Sequence, residues 1–526
     1  MKKIEIYDTT LRDGAQGEGI SFSGVGKIRV AKILDELGVD YIEGGYAASN
    51  PKDMEFFHAI KKEGLKHARI AAFGSTRRAH ANVAEDANTR ALLDADTPVV
   101  TIFGKSWVFH VREVLRTTED ENRAMIADTV RFLKQNGREV IYDAEHFFDG
   151  YKDSPAHALA TLKAAKESGA DRLVLCDTNG GTPYFEIGDI TREVIKQFGG
   201  HIGIHTHNDS ELGVANSLEA IRVGAMHVQG TINGFGERCG NANLCSIIPN
   251  LGLKMGYQVL SSPERMDQLK NVADFVYEMA NQRPNDKAAF VGHSAFAHKA
   301  GMHVDGVNKN PHSFEHIRPE QVGNQRRVLI SELSGTSNVF LKAVEMGLEL
   351  DKKSPEVKEI LKQLEAMEKK GYEFEAAEAS FKLLIQKVLK AHKPFFSLDA
   401  FRVIVEKRHK DEPCISEATV KLNINGQIVH TVGEGDGPVD ALNDAMRKAL
   451  AADYPSISEV QLVDYRVRIL DPEEATAAKT RVLIESSDGT QTWGTVGVST
   501  NLIEASWEAL VDSVEYKLFL DESKKK

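Results

Sequence analysis

Short runs of apolar and β-branched residues punctuate the first half of the chain, separated by longer stretches in which apolar positions recur at helical spacing. The runs Ile4–Tyr7, Tyr41–Gly44, Arg69–Phe73, Val99–Phe103, Glu139–Tyr142, Arg172–Cys176, His201–Ile204 and His227–Thr231 predict strands. Between the first two, Val30, Ile33, Leu34 and Leu37 mark one face of a helix. Gly38, Gly64, Gly137, Gly169, Gly199 and Gly224 stand where helices should close, just ahead of the next strand. Strand–helix units repeated through about 250 residues predict a (β/α)8 TIM barrel in an α/β chain. An open doubly wound sheet is the competitor. No GxGxxG fingerprint follows the first strand, and the barrel is favoured.

Helical periodicity returns over 263–283 and 355–393, which predicts helical linker subdomains with solvated charged faces. An internal repeat follows. Ala418 to Gly426, Gly433 and the helical stretch around Asp440 are echoed by Thr480 to Gly489, Gly497 and the stretch at Glu504. Asn425-Gly426 and Asp488-Gly489 signal hairpins. Each unit reads as strands followed by a helix, and such a unit leaves one sheet face needing cover. Two of them predict an α+β domain with pseudo-twofold symmetry, whose layers a second subunit could complete. The resulting division is 1–262, 263–394 and 395–526.

The length of 526 residues accommodates about three domains. Hydrophobic residues at 42% and charged residues at 27% exclude a mainly disordered or fibrous chain. With 65 basic against 77 acidic residues and no long basic block, no affinity for nucleic acid or an anionic membrane surface is expected. Glu5 and Asp8 interrupt the apolar run of a signal peptide, and no stretch approaches the ~20 apolar residues of a membrane span. Cys176, Cys239, Cys245 and Cys414 are scattered without a CxxC pair. They predict small buried side chains in a reducing, cytoplasmic setting.

A barrel gathers its chemistry at the carboxyl ends of its strands. The polar clusters fall there: Asp8 to Gln16, Glu43, Glu145-His146, Asp177-Thr178-Asn179, His205 to Asp209, and Asn233 to Asn241. His205 and His207, two apart on or just past a strand, face the same way. Two imidazoles and one carboxylate make a divalent-metal site with open positions. Asp13 is the best-placed carboxylate, and Asn241 could add an amide oxygen. The bland alternative is a pair of core histidines satisfied by Asp209 and Glu237. Arg12 could hold a carbonyl oxygen as negative charge develops, or pair with Glu43 or Glu145. Glu145 could orient a base or stabilise an enol. Thr178 could bind a substrate carboxylate, or cap the following helix.

The segments Asp8 to Gln16, His205 to Asp209 and Gly234 to Asn241 resemble the hallmark motifs of the isopropylmalate/homocitrate/citramalate synthase family. Gly14 to Ser23, Tyr41 to Tyr46 and Glu145 to Tyr151 look most like its long citramalate-forming branch. The resemblance implies a Claisen-type condensation of acetyl-CoA with pyruvate, followed by thioester hydrolysis to give citramalate and CoA, in isoleucine biosynthesis. By the same resemblance, Asp13, His205, His207 and Asn241 hold or adjoin a divalent metal (Mn, Mg, Zn or Co). Arg12 stabilises the oxyanion, Thr178 binds the pyruvate carboxylate, and Glu145 assists deprotonation of the acetyl methyl group. His303, in His298 to His303, matches a histidine of the subdomain that reaches over the partner subunit's active site. Phe314 stands where relatives usually have tyrosine, so that hydroxyl is absent here. The C-terminal domain resembles the family's regulatory domain and implies a homodimer inhibited by isoleucine. Its loops at Gly433 to Pro438 and Gly497 to Asn501 could receive an amino-acid carboxylate or simply cap helices. The alternatives are an isopropylmalate synthase acting on 2-oxoisovalerate, a metal-dependent acyl-CoA lyase, and a metal-free amino-acid sensor.

Overall fold

The structure, a computed structural model, describes residues 2–48, 51–329, 355–374, 376–389, 394–470 and 478–524. Part of the expected linker segment, including 330–354 and 390–393, lies outside the described residues. Two compact units divide the chain: Met1–Phe296 with Glu315–Arg326, and Ala297–Phe314 with Arg327–Lys526.

The first unit is built on the predicted strands. β1 (Glu5–Asp8), β2 (Tyr41–Tyr46), β3 (Arg69–Ser75), β4 (Val99–Lys105), β5 (Glu139–Glu145), β6 (Arg172–Asp177), β7 (Ile202–Thr206) and β8 (His227–Gly230) form a closed barrel in chain order. β1 pairs in parallel with both β2 and β8, which closes the ring. The connecting helices bury their apolar stripes on the outside of the strands; Val30, Leu34 and Leu37 of helix Gly24–Leu37 are fully buried. Ser23 caps that helix by accepting from the Gly26 N–H, and Gly38 closes it at φ 91°, in the left-handed region.

Period two along each strand sorts the barrel interior into layers. At the amino ends, Arg172 and His227 meet the Glu5 carboxylate, and Arg69 meets Glu139. Above them an apolar belt of Tyr7, Tyr41, Ala71, Val99, Ile141, Val174 and Cys176 plugs the barrel. The inward positions above the belt turn polar again: Glu43, Asp143, His205 and Gln229, all buried. The belt is the floor of the site.

Seven barrel strands end past their expected carboxyl ends, while β8 stops at Gly230, one residue short of the expected Thr231. β4, β5, β6 and β7 run past their apolar runs, so Glu145 and Asp177 are the last residues of strands rather than the first of loops. Cys176 and Cys245 are buried as expected, but Cys239 and Cys414 are exposed, and all four are free.

In the second unit, β9 (Ala297–His298) pairs with β10 (Arg327–Val328), beside a helix at Gly301–Lys309. Helices Pro355–Lys369 and Glu378–Val388 follow. The repeat then appears as two three-stranded antiparallel sheets, β11 (Phe396–Glu406), β12 (Ile415–Ile424), β13 (Gln427–Gly435) and β14 (Gln461–Ile469), β15 (Thr480–Ser487), β16 (Thr492–Ser499). Helices Pro438–Leu450 and Leu502–Lys524 close the two repeats. Asn425 at φ 51° and Gly426 at φ 86° make the tight turn between β12 and β13. Val420 and Leu422 of one sheet, Val482 and Ile484 of the other, and Leu442, Met446 and Leu510 of the helices share one core. Val405 on β11 and Val463, Val467 and Ile469 on β14 remain exposed. Asn501 caps the last helix by accepting from the Ile503 and Glu504 N–H groups, so capping accounts for that loop.

Candidate metal and substrate site

At the carboxyl end of the barrel the loop after β1, the end of β7 and the loop after β8 converge. His205 Nε2 lies 3.3 Å from Asp13 Oδ2 and 3.3 Å from His207 Nε2, and His207 Nε2 lies 3.9 Å from the same carboxylate oxygen. The three residues are 4–6% exposed, which places the cluster below the rim, away from bulk water. Burial would raise the Asp13 carboxyl, but the charge of Arg12 and the bond to His205 hold it well below the usual carboxylate range. Burial pushes His207 down to about 4, with the charge of His205 adding to the effect, so its ring is neutral at pH 7.

The donor set fits a divalent cation. Two imidazole nitrogens and a carboxylate oxygen face one another, and at most one proton can sit between the two Nε2 atoms. Asn241 is held beside them by a bridge to His207, and its Nδ2 donates to Phe235 O at 3.3 Å. Its Oδ1 is buried with no hydrogen-bond partner among the described residues. A cation coordinated by oxygen and nitrogen would satisfy all of these groups. Gly236 keeps this corner open, since a Cβ there would run into the Asn241 amide nitrogen.

Arg12 points into the same chamber. Its Nε donates to Glu43 Oε2 at 2.5 Å, Nη1 lies 3.4 Å from Asp13 Oδ2, and the guanidinium carbon sits 3.8 Å over the Phe73 ring. The ion pair with Glu43 is therefore present, while Glu145 pairs with Lys105 instead. Lys105 carries no motif; only the extension of β4 beyond its apolar run, opposite Glu145 in register, could have revealed it.

Thr178 sits next to Glu145 through the backbone. His146, in the left-handed region at φ 53°, donates its N–H to Thr178 Oγ1 at 2.9 Å. The hydroxyl proton is thereby directed elsewhere and can serve a ligand. Thr178 does not cap the following helix, whose N-cap is Pro183. Arg238 ties three loops together, bonding Asp209 through Nε and Nη2 at 2.7 and 2.9 Å and Thr178 O at 2.7 Å. Asp209 is thus engaged by Arg238 rather than hydrogen-bonded to the histidines. His303 belongs to the second unit, where its ring packs on Phe314 with centroids 4.4 Å apart.

Comparison with known proteins places this geometry. Residues 3–276 match the HMGL-like family, 290–372 the homocitrate synthase post-HMGL domain-like family, and 375–518 the LeuA allosteric (dimerisation) domain. The chain is 55% identical over 522 residues to an (R)-citramalate synthase of Geobacter sulfurreducens, covering 99% of each chain. It is 54% identical to an (R)-citramalate synthase of Aquifex aeolicus, again over 99% of each. A 2-isopropylmalate synthase of Listeria innocua is 30% identical over 98% of this chain and 97% of its own. No helix among the described residues is long and apolar enough to cross a membrane. A buried two-histidine, one-carboxylate cluster at the mouth of a closed barrel, and identity to citramalate synthases along the full length, establish that the chain belongs to the HMGL-like family and, within it, to the (R)-citramalate synthases.

Proposed function

We infer that this transferase joins the methyl carbon of acetyl-CoA to the keto carbon of pyruvate and hydrolyses the thioester, releasing (R)-citramalate and CoA. The observation that carries the reading is the Asp13–His205–His207 cluster, with Arg12 and Asn241 against it. Those three residues, with Asn241 Oδ1 alongside, would hold a divalent cation that polarises the keto oxygen of the acceptor when bound.

The protein's own groups divide the remaining work. Thr178 donates its hydroxyl proton to the pyruvate carboxylate, its oxygen being already engaged by the His146 N–H. Glu145 removes a proton from the acetyl methyl group, and Lys105 beside it compensates the carboxylate. Arg12, pinned by Glu43 and flattened on Phe73, donates toward the keto oxygen as negative charge develops there. His303, by the family resemblance, serves acid–base chemistry at the partner subunit's site, and its ring packs on Phe314. Water then cleaves the carbon–sulfur bond, and CoA leaves as the thiol.

We assign catalysis to 1–262, cover of the site to 263–394, and regulation with dimerisation to 395–526. The match of 375–518 to an allosteric, dimerising domain supports the last assignment. The exposed apolar positions of β11 and β14 offer a face for a second copy. Isoleucine is the proposed effector, and the cytoplasm the proposed setting.

The test follows thiol release from acetyl-CoA with pyruvate and, separately, with 2-oxoisovalerate, each with and without chelator and isoleucine. Fast, chelator-sensitive release with pyruvate, slowed by isoleucine, is the expected result. Faster release with 2-oxoisovalerate would move the assignment to isopropylmalate synthesis, and no release with either acid would overturn the condensation.

A further inference from the structure

His205 is supported from behind, away from Asp13. In the pairing of β7 with β8 it stands directly opposite Gln229. Its Nδ1 lies 2.8 Å from Gln229 Oε1, and Gln229 Nε2 donates to Asp143 Oδ1 at 3.0 Å. Gln229 is fully buried and Asp143 nearly so. Water therefore has little access to exchange with these bonds.

An amide accepts at one end and donates at the other, whereas a carboxylate only accepts. Burial pushes the Asp143 carboxyl up to about 7, but its Oδ1 accepts from the Gln229 NH2 in either state, so the amide oxygen faces the imidazole. His205 Nδ1 must then be the donor. A neutral imidazole with its proton on Nδ1 carries its lone pair on Nε2. That is the atom 3.3 Å from both Asp13 and His207. His207 has no such support among the described residues, where its buried Nδ1 has no hydrogen-bond partner.

We propose that Gln229, oriented by Asp143 across the barrel, is a positioning residue that locks His205 in the Nδ1-protonated tautomer and keeps Nε2 bare for a divalent cation. This rests on the metal reading of the Asp13–His205–His207 cluster. The neighbour behind a metal-ligating histidine commonly sets its tautomer and ring orientation, and its loss costs about 10–100-fold in metal affinity.

The experiment titrates the full-length, metal-stripped protein with Mn²⁺ in competition with a chromophoric chelator. Gln229→Met keeps the side-chain length but removes the acceptor. Gln229→Glu keeps an acceptor oxygen, and a proton shared with Asp143 preserves the link across the barrel. The proposal expects Gln229→Met to weaken Mn²⁺ binding by about 10–100-fold and Gln229→Glu to stay within about threefold of the parent. Asp143→Asn gives a second readout, because asparagine can donate to the amide oxygen and let it flip. Its expected loss is about tenfold. Undiminished binding by Gln229→Met or by Asp143→Asn overturns the proposal. So does equal loss in Gln229→Met and Gln229→Glu, which would trace the effect to packing at position 229. His205→Ala separates the two levels: a parent that binds no Mn²⁺, or an alanine variant that binds it undiminished, overturns the metal reading and this inference with it.

Discussion

Arg12 is the cation that neutralises Glu43, a carboxylate sealed completely from solvent, with Nε 2.5 Å from Oε2. Tyr7 donates its hydroxyl to Oε1 at 2.6 Å, and Thr9 donates to Oε2. The guanidinium is held in plane by this clamp and by the Phe73 ring beneath it. Removing one member of a buried pair strands the other charge, at a cost of about 3–5 kcal/mol. Arg12→Met should lower the urea midpoint of the barrel unit accordingly, and adding Glu43→Gln should restore most of it. If the double variant is no more stable than the single one, the pair is not the source of the loss. Arg12→Lys keeps the charge but not the planar fork, and kcat should fall by about 10²-fold.

Asn241 offers a separate measurement. Its Nδ2 is bonded to Phe235 O while its Oδ1 has no partner among the described residues, an arrangement that leaves one strong acceptor unsatisfied in a buried site. Asn241→Ala should weaken metal binding by about tenfold while Asn241→Asp retains it. Calorimetric titration with Mn²⁺ checks both. Unchanged affinity in the alanine variant would leave Asn241 as a support of the loop and nothing more.

Much of this arrangement was legible before the structure, and what was not has a physical reason. The apolar runs located every barrel strand, because a strand covered on both faces reads as an unbroken apolar stretch. The same criterion stopped too early at the carboxyl ends: β5 was expected to end at Tyr142 and ends at Glu145, and β4 extends from Phe103 to Lys105. Those last positions are polar and lie at the carboxyl end of the barrel, so an apolar criterion stops short of them. Asp13, His205, His207 and Asn241 sit in motifs and could be grouped in advance. Asp143 and Gln229 are 86 positions apart, neither lies in a recognisable motif, and only the closed barrel brings them together. Lys105 was hidden in the same way, as was Arg238, whose bonds join loops that follow three different strands.

The ring of Phe314 covers His303 and fits against Gly306, where a Cβ would meet the phenyl carbons. The phenyl group therefore does the steadying, and no hydroxyl is needed for it. Phe314→Tyr should leave kcat within about threefold, whereas Phe314→Ala should lower it by about tenfold or more by freeing the His303 ring. Steady-state kinetics with acetyl-CoA and pyruvate distinguishes them. A tyrosine variant much faster than the parent would show that the missing hydroxyl had been limiting.

Glu515, on the last helix, gives the C-terminal repeat a pH dependence opposite to that of a salt-bridged carboxylate. Burial pushes it up from 4.5 to about 7, against the pull of the Phe395 N–H, which donates to Oε1 at 3.1 Å. Between those two values the folded state holds a proton that the unfolded state releases. Stability from this group is therefore largest near pH 4.5 and declines as the pH rises to 7, by about 3 kcal/mol. Above pH 7 the loss is complete and the charged carboxylate is a standing cost. Glu515→Gln removes the ionisation while keeping an acceptor for Phe395. The variant should match the parent at pH 5 and exceed it at pH 8. Trp493 and Trp507 both lie in this repeat, so unfolding followed by their fluorescence in a Trp107→Phe background reads the correct unit. A parent-to-variant difference that stays flat from pH 5 to 8 would mean that Glu515 is ionised throughout and that burial does not govern it.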